Sequence, residues 1–188
     1  MNAMLNRDFF ERDTRIVAKE LIGKWLYRKT PTGIYRALIA ETEAYHGQDD
    51  LGCHCSKGVT PRTKVMFGPP GHIYVYLIYG MYEMLNFVTM PEGFPAAVLI
   101  RGLYRLEFST SEKSSFQPLH LKTDGPGKLT RTLKITRNLN SKKLHPETGI
   151  WIENAGIEPG KIITTPRIGI DYAKEWKHKP WRYVAEFS

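Results

Sequence analysis

The segment that most constrains the fold is residues 72–87, HIYVYLIYGMYEMLNF. Apolar and aromatic residues alternate with a period of two before Gly80, and β-prone residues continue from Met84. This pattern predicts a β-hairpin with Gly80 at its tip. An odd number of loop residues would place Tyr76 and Asn86 on one face of the hairpin, whereas an even number would separate them.

The tyrosines of this hairpin allow two interpretations. Aromatic residues are ordinary strand residues, so the segment could be a core hairpin with tyrosines at its rim. Tyr79, however, stands beside the glycine of the tip, where no core can cover it. An exposed aromatic side chain at a rigid tip is suited to insertion between stacked bases.

Composition and charge narrow the class of protein. The 188 residues, 41% of them hydrophobic and 12% aromatic, predict one globular domain over residues 1–188 rather than a disordered chain. The formal net charge of +8 favours an anionic partner such as nucleic acid or an acidic membrane surface, although many basic proteins bind neither.

The sequence also allows predictions about the cellular location of the protein and about disulfide and metal binding. No apolar run is long enough to span a bilayer, and the first residues lack the features of a secretory signal, so we expect a cytoplasmic protein. Cys53 and Cys55 are too close in sequence to staple the fold usefully. With His54 they form three consecutive residues, which cannot wrap one tetrahedral ion well, so we expect no metal.

A long strand, predicted at 34–45, carries carboxylates that could do chemistry. On an extended chain Glu41, Glu43 and Tyr45 share one face, although carboxylates at this spacing are more often solvated surface groups. Arg101 ends an apolar strand, AAVLIRGL, and its charge there needs a partner. A carboxylate from the strand that contains Glu43 is available for it.

Two further segments have both a structural and a functional interpretation. Residues 46–71 are rich in turn residues, and His54 within them is either a satisfied loop histidine or the wall of a pocket. Residues 125–128, GPGK, are typical of a helix start, and backbone amides with Lys128 would also suit a phosphate. The polar segment 106–124 yields no assignment.

Several motifs together carry a resemblance to a known family. They are ETEAYHG at 41–47, His54, TPR at 60–62, MFGPPGHIYVYLIYGMYEMLN at 66–86, VLIRGL at 98–103, GPGKL at 125–129, RIGI at 167–170 and EWKHKPWRY at 175–183. In this order they resemble the 3-methyladenine DNA glycosylases of the mammalian alkyladenine type, over about residues 6–187.

The resemblance implies an α+β fold. We expect a single compact domain with a curved, largely antiparallel β-sheet, surrounding helices and a protruding hairpin that inserts into DNA. It also implies a monofunctional enzyme without metal or cofactor, acting as a monomer on double-stranded DNA with damaged purines in the bacterial nucleoid. DNA glycosylases flip the target base out of the helix.

The resemblance also implies roles for particular residues. Glu43 resembles the general base that activates water, and Arg101 and the main-chain carbonyl of Ile168 resemble the groups that hold that water. The residues expected to form the base pocket are Tyr45, His54, Tyr76 and Asn86. Among them, Asn86 is expected to discriminate between purines by contact with their edge. Among the expected DNA contacts, Tyr79 fills the space that the flipped nucleotide leaves and Met81 lies in the minor groove. Arg62 and Lys128 are expected to contact phosphates.

The chemistry of alkylated purines fits these residue types. Alkylation at N3 or N7 makes the purine cationic, which weakens the glycosidic bond and favours stacking on tyrosines by about 0.5–2 kcal/mol. No lysine stands where the water-activating group is expected, so we expect an abasic product without strand cleavage. The substrates implied are 3-methyladenine, 7-methylguanine, hypoxanthine and ethenoadenine.

Two other hypotheses about function remain open from the sequence. One hypothesis is a lesion-binding module without catalysis, which would not need Glu43. The other is a hydrolase of O-glycosides that uses Glu41 and Glu43, which lie about 7 Å apart along a strand.

The sequence departs from the family pattern in two places. Cys53 and Cys55 stand where small or other polar residues are more usual, and residues 106–124 lack the basic segment that many members of the family have there.

Overall fold

The computed structural model describes residues 3–154, 156–157 and 159–187. The helices are α1 Arg7–Phe10, α2 Thr14–Glu20 and α3 Pro126–Thr132. The strands are β1 Trp25–Thr30, β2 Gly33–His46, β3 Ile73–Ile78, β4 Tyr82–Val88, β5 Ala96–Ser109, β6 Gln117–Pro118, β7 Ile150–Glu153, β8 Ile162–Thr165 and β9 Arg182–Ala185. Short 3₁₀ helices cover His54–Lys57, Lys64–Phe67, Arg137–Leu139, Pro146–Thr148 and Lys174–His178.

Within the described residues, all nine strands join one sheet and every pairing is antiparallel. The main path runs β3-β4-β5-β2-β1-β7, with β6 beside β5 and the β8–β9 pair beside β2. This confirms the predicted α+β class, a single compact domain around a largely antiparallel sheet. No helix in the described ranges is long and apolar enough to cross a membrane.

The two long central strands, β2 and β5, form the scaffold of the site. They pair from Ile34 opposite Ser109 to His46 opposite Ala96, with register shifts near Ile39 and Glu41. Such irregularities bend a strand and turn its side chains, so the strict alternation predicted for 34–45 does not hold throughout. Thr42, Glu43 and Ala44 are all buried, because β2 is covered on both faces.

Helix α2 covers one side of β2. Asp13 caps the helix by accepting a hydrogen bond from the main-chain N–H of Arg15. Val17 and Ala18 are buried in the core. The hydroxyl of Thr42 donates to the carbonyl of Ala18 at 2.8 Å, which ties the helix to the strand.

The predicted hairpin is present as β3 and β4. Ile78 pairs with Tyr82, which leaves a loop of residues 79–81 and is the odd-numbered case. Tyr74 pairs with Asn86 and the alternation puts Tyr76 on the same face. Tyr79 and Gly80 adopt φ of 52° and 69°, the left-handed region that tight hairpin loops require.

Two features of the sheet could not be predicted from the sequence, the elements within 106–124 and the pairing of β9 with β2. The polar segment 106–124 begins inside β5, which continues to Ser109, and includes the short β6. The strand β9 pairs with the middle of β2, and Val184 lies opposite Glu41. That pairing carries the neighbouring Arg182 to the carboxylate of Glu41.

Candidate active site

The centre of the site is the carboxylate of Glu43, which is fully buried. Its Oε1 accepts the main-chain N–H of Ile168 at 2.8 Å, and its Oε2 accepts the hydroxyl of Tyr45 at 2.8 Å. The guanidinium of Arg101 lies 3.4 Å from Oε2. Burial raises the pKa of Glu43 above its usual value, while Arg101, the Ile168 amide and the Tyr45 hydroxyl lower it.

Arg101 is shared between two carboxylates of β2. Its Nε donates to Glu41 at 3.0 Å, while Nη1 faces Glu43. Glu41 also accepts a hydrogen bond from Nε of Arg182 at 2.6 Å. The structure therefore gives Arg101 the carboxylate partner that its apolar surroundings predicted, and it ties Glu41 between two arginines.

A cavity of about 560 Å³ opens in front of this cluster, a volume typical of sites for small ligands. Its aromatic walls come from β2, β3 and the 3₁₀ helix at His54–Lys57. Of the residues predicted for the site, the lining contains Tyr45, His54, Arg62, Tyr76, Tyr79, Asn86, Arg101 and Ile168. Glu43 lies behind this lining and touches three of its members.

His54 is held in one tautomer at the cavity wall. Its ring meets Tyr76 edge-to-face at 4.6 Å between centroids, and its Nδ1 lies 3.2 Å from the hydroxyl of Tyr74. Nη2 of Arg62 lies 3.3 Å from Nε2, and because arginine can only donate, Nε2 accepts and Nδ1 carries the proton. Burial, then Arg62 and Lys57, lowers the pKa of His54 to about 4, so the ring is neutral at pH 7.

Arg62 belongs to the pocket in this structure. Its guanidinium lies 4.7 Å from the ring centroid of Tyr76, within the range of a cation–π contact. The sequence placed Arg62 at a DNA phosphate, and that contact stays a prediction. The structure places Arg62 in the cavity lining, against Tyr76 and His54.

Asn86 is fixed on the same face as the tyrosines. It is 3% exposed, and its Nδ2 donates to the carbonyls of Tyr74 and Met84 at 3.1 and 3.2 Å. Both carbonyls belong to the hairpin, so the side chain cannot swing away without breaking these bonds. The amide of Asn86 therefore has a fixed orientation at the cavity wall.

The hairpin tip projects two large apolar side chains into solvent. Tyr79 is 82% exposed and Met81 is 65% exposed. A Cβ built on Gly80 would meet nothing within 4 Å, so the tip is open on that side. The fourth predicted DNA contact, Lys128, lies in the first turn of α3 and forms an exposed ion pair with Asp124 at 3.0 Å.

Comparisons with known proteins decide the family. The family model for methylpurine-DNA glycosylase matches residues 8–188. The chain belongs to the methylpurine-DNA glycosylase family. It is therefore a DNA glycosylase, a hydrolase that acts in DNA repair.

Curated relatives are similar to this glycosylase over nearly their whole length. A protein of Methanocella arvoryzae is 47% identical over 98% of this chain and 94% of its own length. Proteins of Sodalis glossinidius and Legionella pneumophila are 46% and 47% identical, over 97% and 92% of this chain and 96% and 88% of their own lengths. All three are provisionally named 3-methyladenine DNA glycosylases.

Some residues of the glycosylase cavity were not predicted from the sequence. Tyr74 and Tyr172 both line it. Tyr74 alternates with Tyr76 along β3, so the period of two already carried the signal. Tyr172 follows the RIGI motif in an irregular segment, where no periodicity predicts the direction of a side chain.

The two cysteines beside His54 form a local link in the loop that carries it. The sulfur atoms of Cys53 and Cys55 are joined in the structure, and both residues are buried. The bridge spans a sequence separation of 2, so it constrains only this short loop, in line with the weak stapling that the sequence predicted. Among the described residues, no group of three or more His, Cys, Asp or Glu side chains could hold a metal.

Proposed function

We propose that this glycosylase flips alkylated or deaminated purines out of duplex DNA and hydrolyses their N-glycosidic bond with water activated by Glu43. The observation that carries this proposal is a fully buried carboxylate that contacts three residues of an aromatic cavity. Taking a carboxylate out of water is costly unless it is paired and hydrogen-bonded. Such a group is a candidate for chemistry rather than for packing.

In the proposed reaction, the water oxygen bonds to the anomeric carbon of the sugar while the bond from that carbon to the purine breaks. The water proton passes to Glu43, and the electron pair of the broken bond leaves with the purine. Arg101 and the carbonyl of Ile168 position the water. A purine alkylated at N3 or N7 starts as a cation and leaves as a neutral base, so it needs no proton from the protein. A neutral lesion such as hypoxanthine leaves as an anion, which then takes a proton from water.

The aromatic rings of the cavity wall suit a cationic base. Burial raises the pKa values of Tyr45 and Tyr76, so both rings remain neutral phenols with electron-rich faces. His54 is neutral at pH 7 and adds no positive charge to the cavity. Stacking of a cationic purine between such rings is favoured by about 0.5–2 kcal/mol for each face.

Selection against normal guanine is proposed for Asn86. Guanine carries a 2-amino group that adenine and hypoxanthine lack, and a side chain held against that edge excludes it sterically. The two hydrogen bonds from Nδ2 of Asn86 to hairpin carbonyls support this role, because they prevent the amide from moving aside.

The exposed tip of the hairpin is proposed to hold the DNA open. Tyr79 fills the space that the flipped nucleotide leaves, and Met81 lies in the minor groove. The exposure of both side chains and the net charge of +8 support contact with DNA. Contacts of Arg62 and Lys128 with phosphates are part of the same proposal.

The non-catalytic and O-glycosidase alternatives are less well supported. A binding module has no use for a buried, hydrogen-bonded carboxylate beside its pocket. An inverting O-glycosidase needs a second carboxyl group that can donate a proton. Glu41 accepts hydrogen bonds from both Arg101 and Arg182 and does not line the cavity.

Base release from four duplexes, each with one lesion, tests the proposal. The lesions are 3-methyladenine, 7-methylguanine, hypoxanthine and ethenoadenine, and both the free base and the abasic strand are measured. We expect release of 3-methyladenine, with the strand intact until alkali is added. Tight binding without release from any duplex would favour the binding module instead.

A further inference from the structure

A second buried charge cluster lies beside the proposed catalytic one. Arg167 and Asp50 form a bidentate ion pair, with Nη1 to Oδ2 at 2.6 Å and Nη2 to Oδ1 at 2.8 Å. Both side chains are 0% exposed. Arg167 also donates to the main-chain carbonyls of Ala44 at 3.0 Å and Trp176 at 3.3 Å.

The guanidinium of Arg167 forms a layer between two aromatic rings. Its carbon lies 4.8 Å from the ring centroid of Tyr45, which lines the cavity, and 5.0 Å from that of Trp181. Gly52 permits this approach, since a Cβ there would come within 3.0 Å of Nη2 of Arg167. A planar guanidinium can stack in this way, which a lysine ammonium cannot.

Asp50 fixes the other side of the cluster to the loop after β2. Its Oδ2 accepts the main-chain N–H of His46 at 3.2 Å, and its Oδ1 accepts that of Gly52 at 3.0 Å. The ion pair therefore connects the end of β2 and the loop that leads to His54 with the segment around Arg167.

These contacts converge on Glu43 from two directions. Ile168, the residue after Arg167, donates its main-chain N–H to Oε1 of Glu43. Ala44, whose carbonyl Arg167 binds, is the residue after Glu43. Arg167 thus holds both the strand that carries the carboxylate and the amide that binds it.

We propose that Arg167 and Asp50 form a positioning pair that holds the Ile168 amide and the Tyr45 ring in register with Glu43. Neither residue reaches the cavity, so they act through other groups and are not catalytic residues. The proposal rests on the role of Glu43 as the base. If the ion pair is loosened, the Ile168 N–H and the Tyr45 hydroxyl bind the Glu43 carboxylate less well. The ionised form of Glu43 is then less stable.

The test compares Arg167→Lys with wild type in single-turnover base release as a function of pH. A misplacement of about 1 Å can reduce a rate on the order of 100-fold, so we expect a loss of that size at pH 7. Affinity for a duplex with an abasic analogue should change little. The acidic midpoint of the pH–rate profile should move to higher pH, because a weaker Ile168 hydrogen bond raises the pKa of Glu43.

The groups that face Glu43 define what else could move that midpoint. The charged and titratable groups around it are Glu41, Tyr45, Tyr76, Arg101 and, on the paired strand β9, Arg182. None of them is changed in the Arg167→Lys variant. A midpoint shift in this variant therefore reports on the positions of the amide and the Tyr45 hydroxyl.

The chain offers a matched control in Arg36. Its guanidinium also pairs with a buried carboxylate, Glu107, at 2.6 Å and lies over two aromatic rings, 4.6 Å from Trp25 and 4.1 Å from Phe116. It stands away from the cavity lining. Arg36→Lys should also cost stability, by less because its side chain is 25% exposed, but it should leave the rate and the acidic midpoint unchanged.

A double variant covers the case in which Arg167→Lys does not fold. Arg167→Met with Asp50→Asn leaves no buried charge unpaired, and such replacements are often tolerated. We expect this variant to fold and still to release base slowly, with the raised midpoint. A folded variant with the wild-type rate and midpoint would overturn the proposal.

The Glu43→Gln and Arg167 variants together distinguish the catalytic role of Glu43 from the positioning role of Arg167. If Glu43→Gln released base normally, the catalytic role of Glu43 would fall, and with it the reason for the positioning pair. If Glu43→Gln were inactive while the folded Arg167 variants behaved as wild type, only the positioning role would be wrong.

Discussion

Replacement of Tyr79 by serine removes the proposed wedge while leaving the fold intact. The side chain is 82% exposed at the hairpin tip, so its loss should change the free energy of unfolding by no more than about 0.5 kcal/mol. The residue has φ of 52°, and serine keeps the same backbone requirement as tyrosine there. The variant therefore separates DNA binding from folding.

The size of the effect follows from what the ring would bury. A tyrosine covers about 150–250 Å² when fully enclosed, which at about 25 cal/mol per Å² sets an upper bound of about 4–6 kcal/mol. Ordering of the tip and unstacking of DNA reduce that value, and stacking of one base on an aromatic side chain is worth about 1–3 kcal/mol. We expect Tyr79→Ser to bind an abasic-analogue duplex about 5- to 150-fold more weakly.

Equilibrium binding to a duplex with one stable abasic analogue measures this loss. Tyr79→Phe keeps the ring and should bind nearly as tightly as wild type. Tyr104→Ser changes another exposed tyrosine, 43% exposed and outside the cavity lining, and should have little effect. Equal affinities of wild type and Tyr79→Ser would refute the wedge assignment, since Tyr79 is the only aromatic residue of the loop 79–81.

Three other predictions concern the pocket and its carboxylates. Asn86→Ser should release some unmodified guanine or excise 7-methylguanine faster, and an unchanged lesion spectrum in base-release assays would make Asn86 purely structural. Glu41→Gln should stay active at a reduced rate, because Arg101 keeps Glu43 but loses one of its two partners; complete loss would move the catalytic role to Glu41. Burial raises the pKa of Glu43, so the single-turnover rate should fall on acidification with a midpoint above that of a free glutamate, about 4.3; a midpoint at or below that value would contradict the account.

The parts of the site that lie on regular strands could be predicted from the sequence. The period of two in β3 and the odd loop together put Tyr76 and Asn86 on one face. Arg101 is a charged residue at the end of an apolar run and needs a partner. That requirement predicted its contact with the carboxylates of β2. In both cases local physical rules are sufficient, because strand geometry fixes the direction of each side chain.

The parts that depend on irregular segments could not be predicted. Arg167 and Asp50 are 117 residues apart, and no periodicity relates them. The position of Arg62 against Tyr76 depends on how the loop 46–71 folds back over β3, which turn residues alone do not determine. The same holds for Arg182, whose contact with Glu41 follows from the pairing of β9 with β2.

The most direct test of the central claim is single-turnover base release by Glu43→Gln on a duplex with one 3-methyladenine, with lesion binding measured in parallel. Glutamine keeps the size of the side chain but not its charge or basicity. Loss of a general base alone reduces the rate by about 10²- to 10⁴-fold, and loss of the stabilising charge adds to that. We expect no measurable release with binding retained. Normal release by Glu43→Gln would contradict the account.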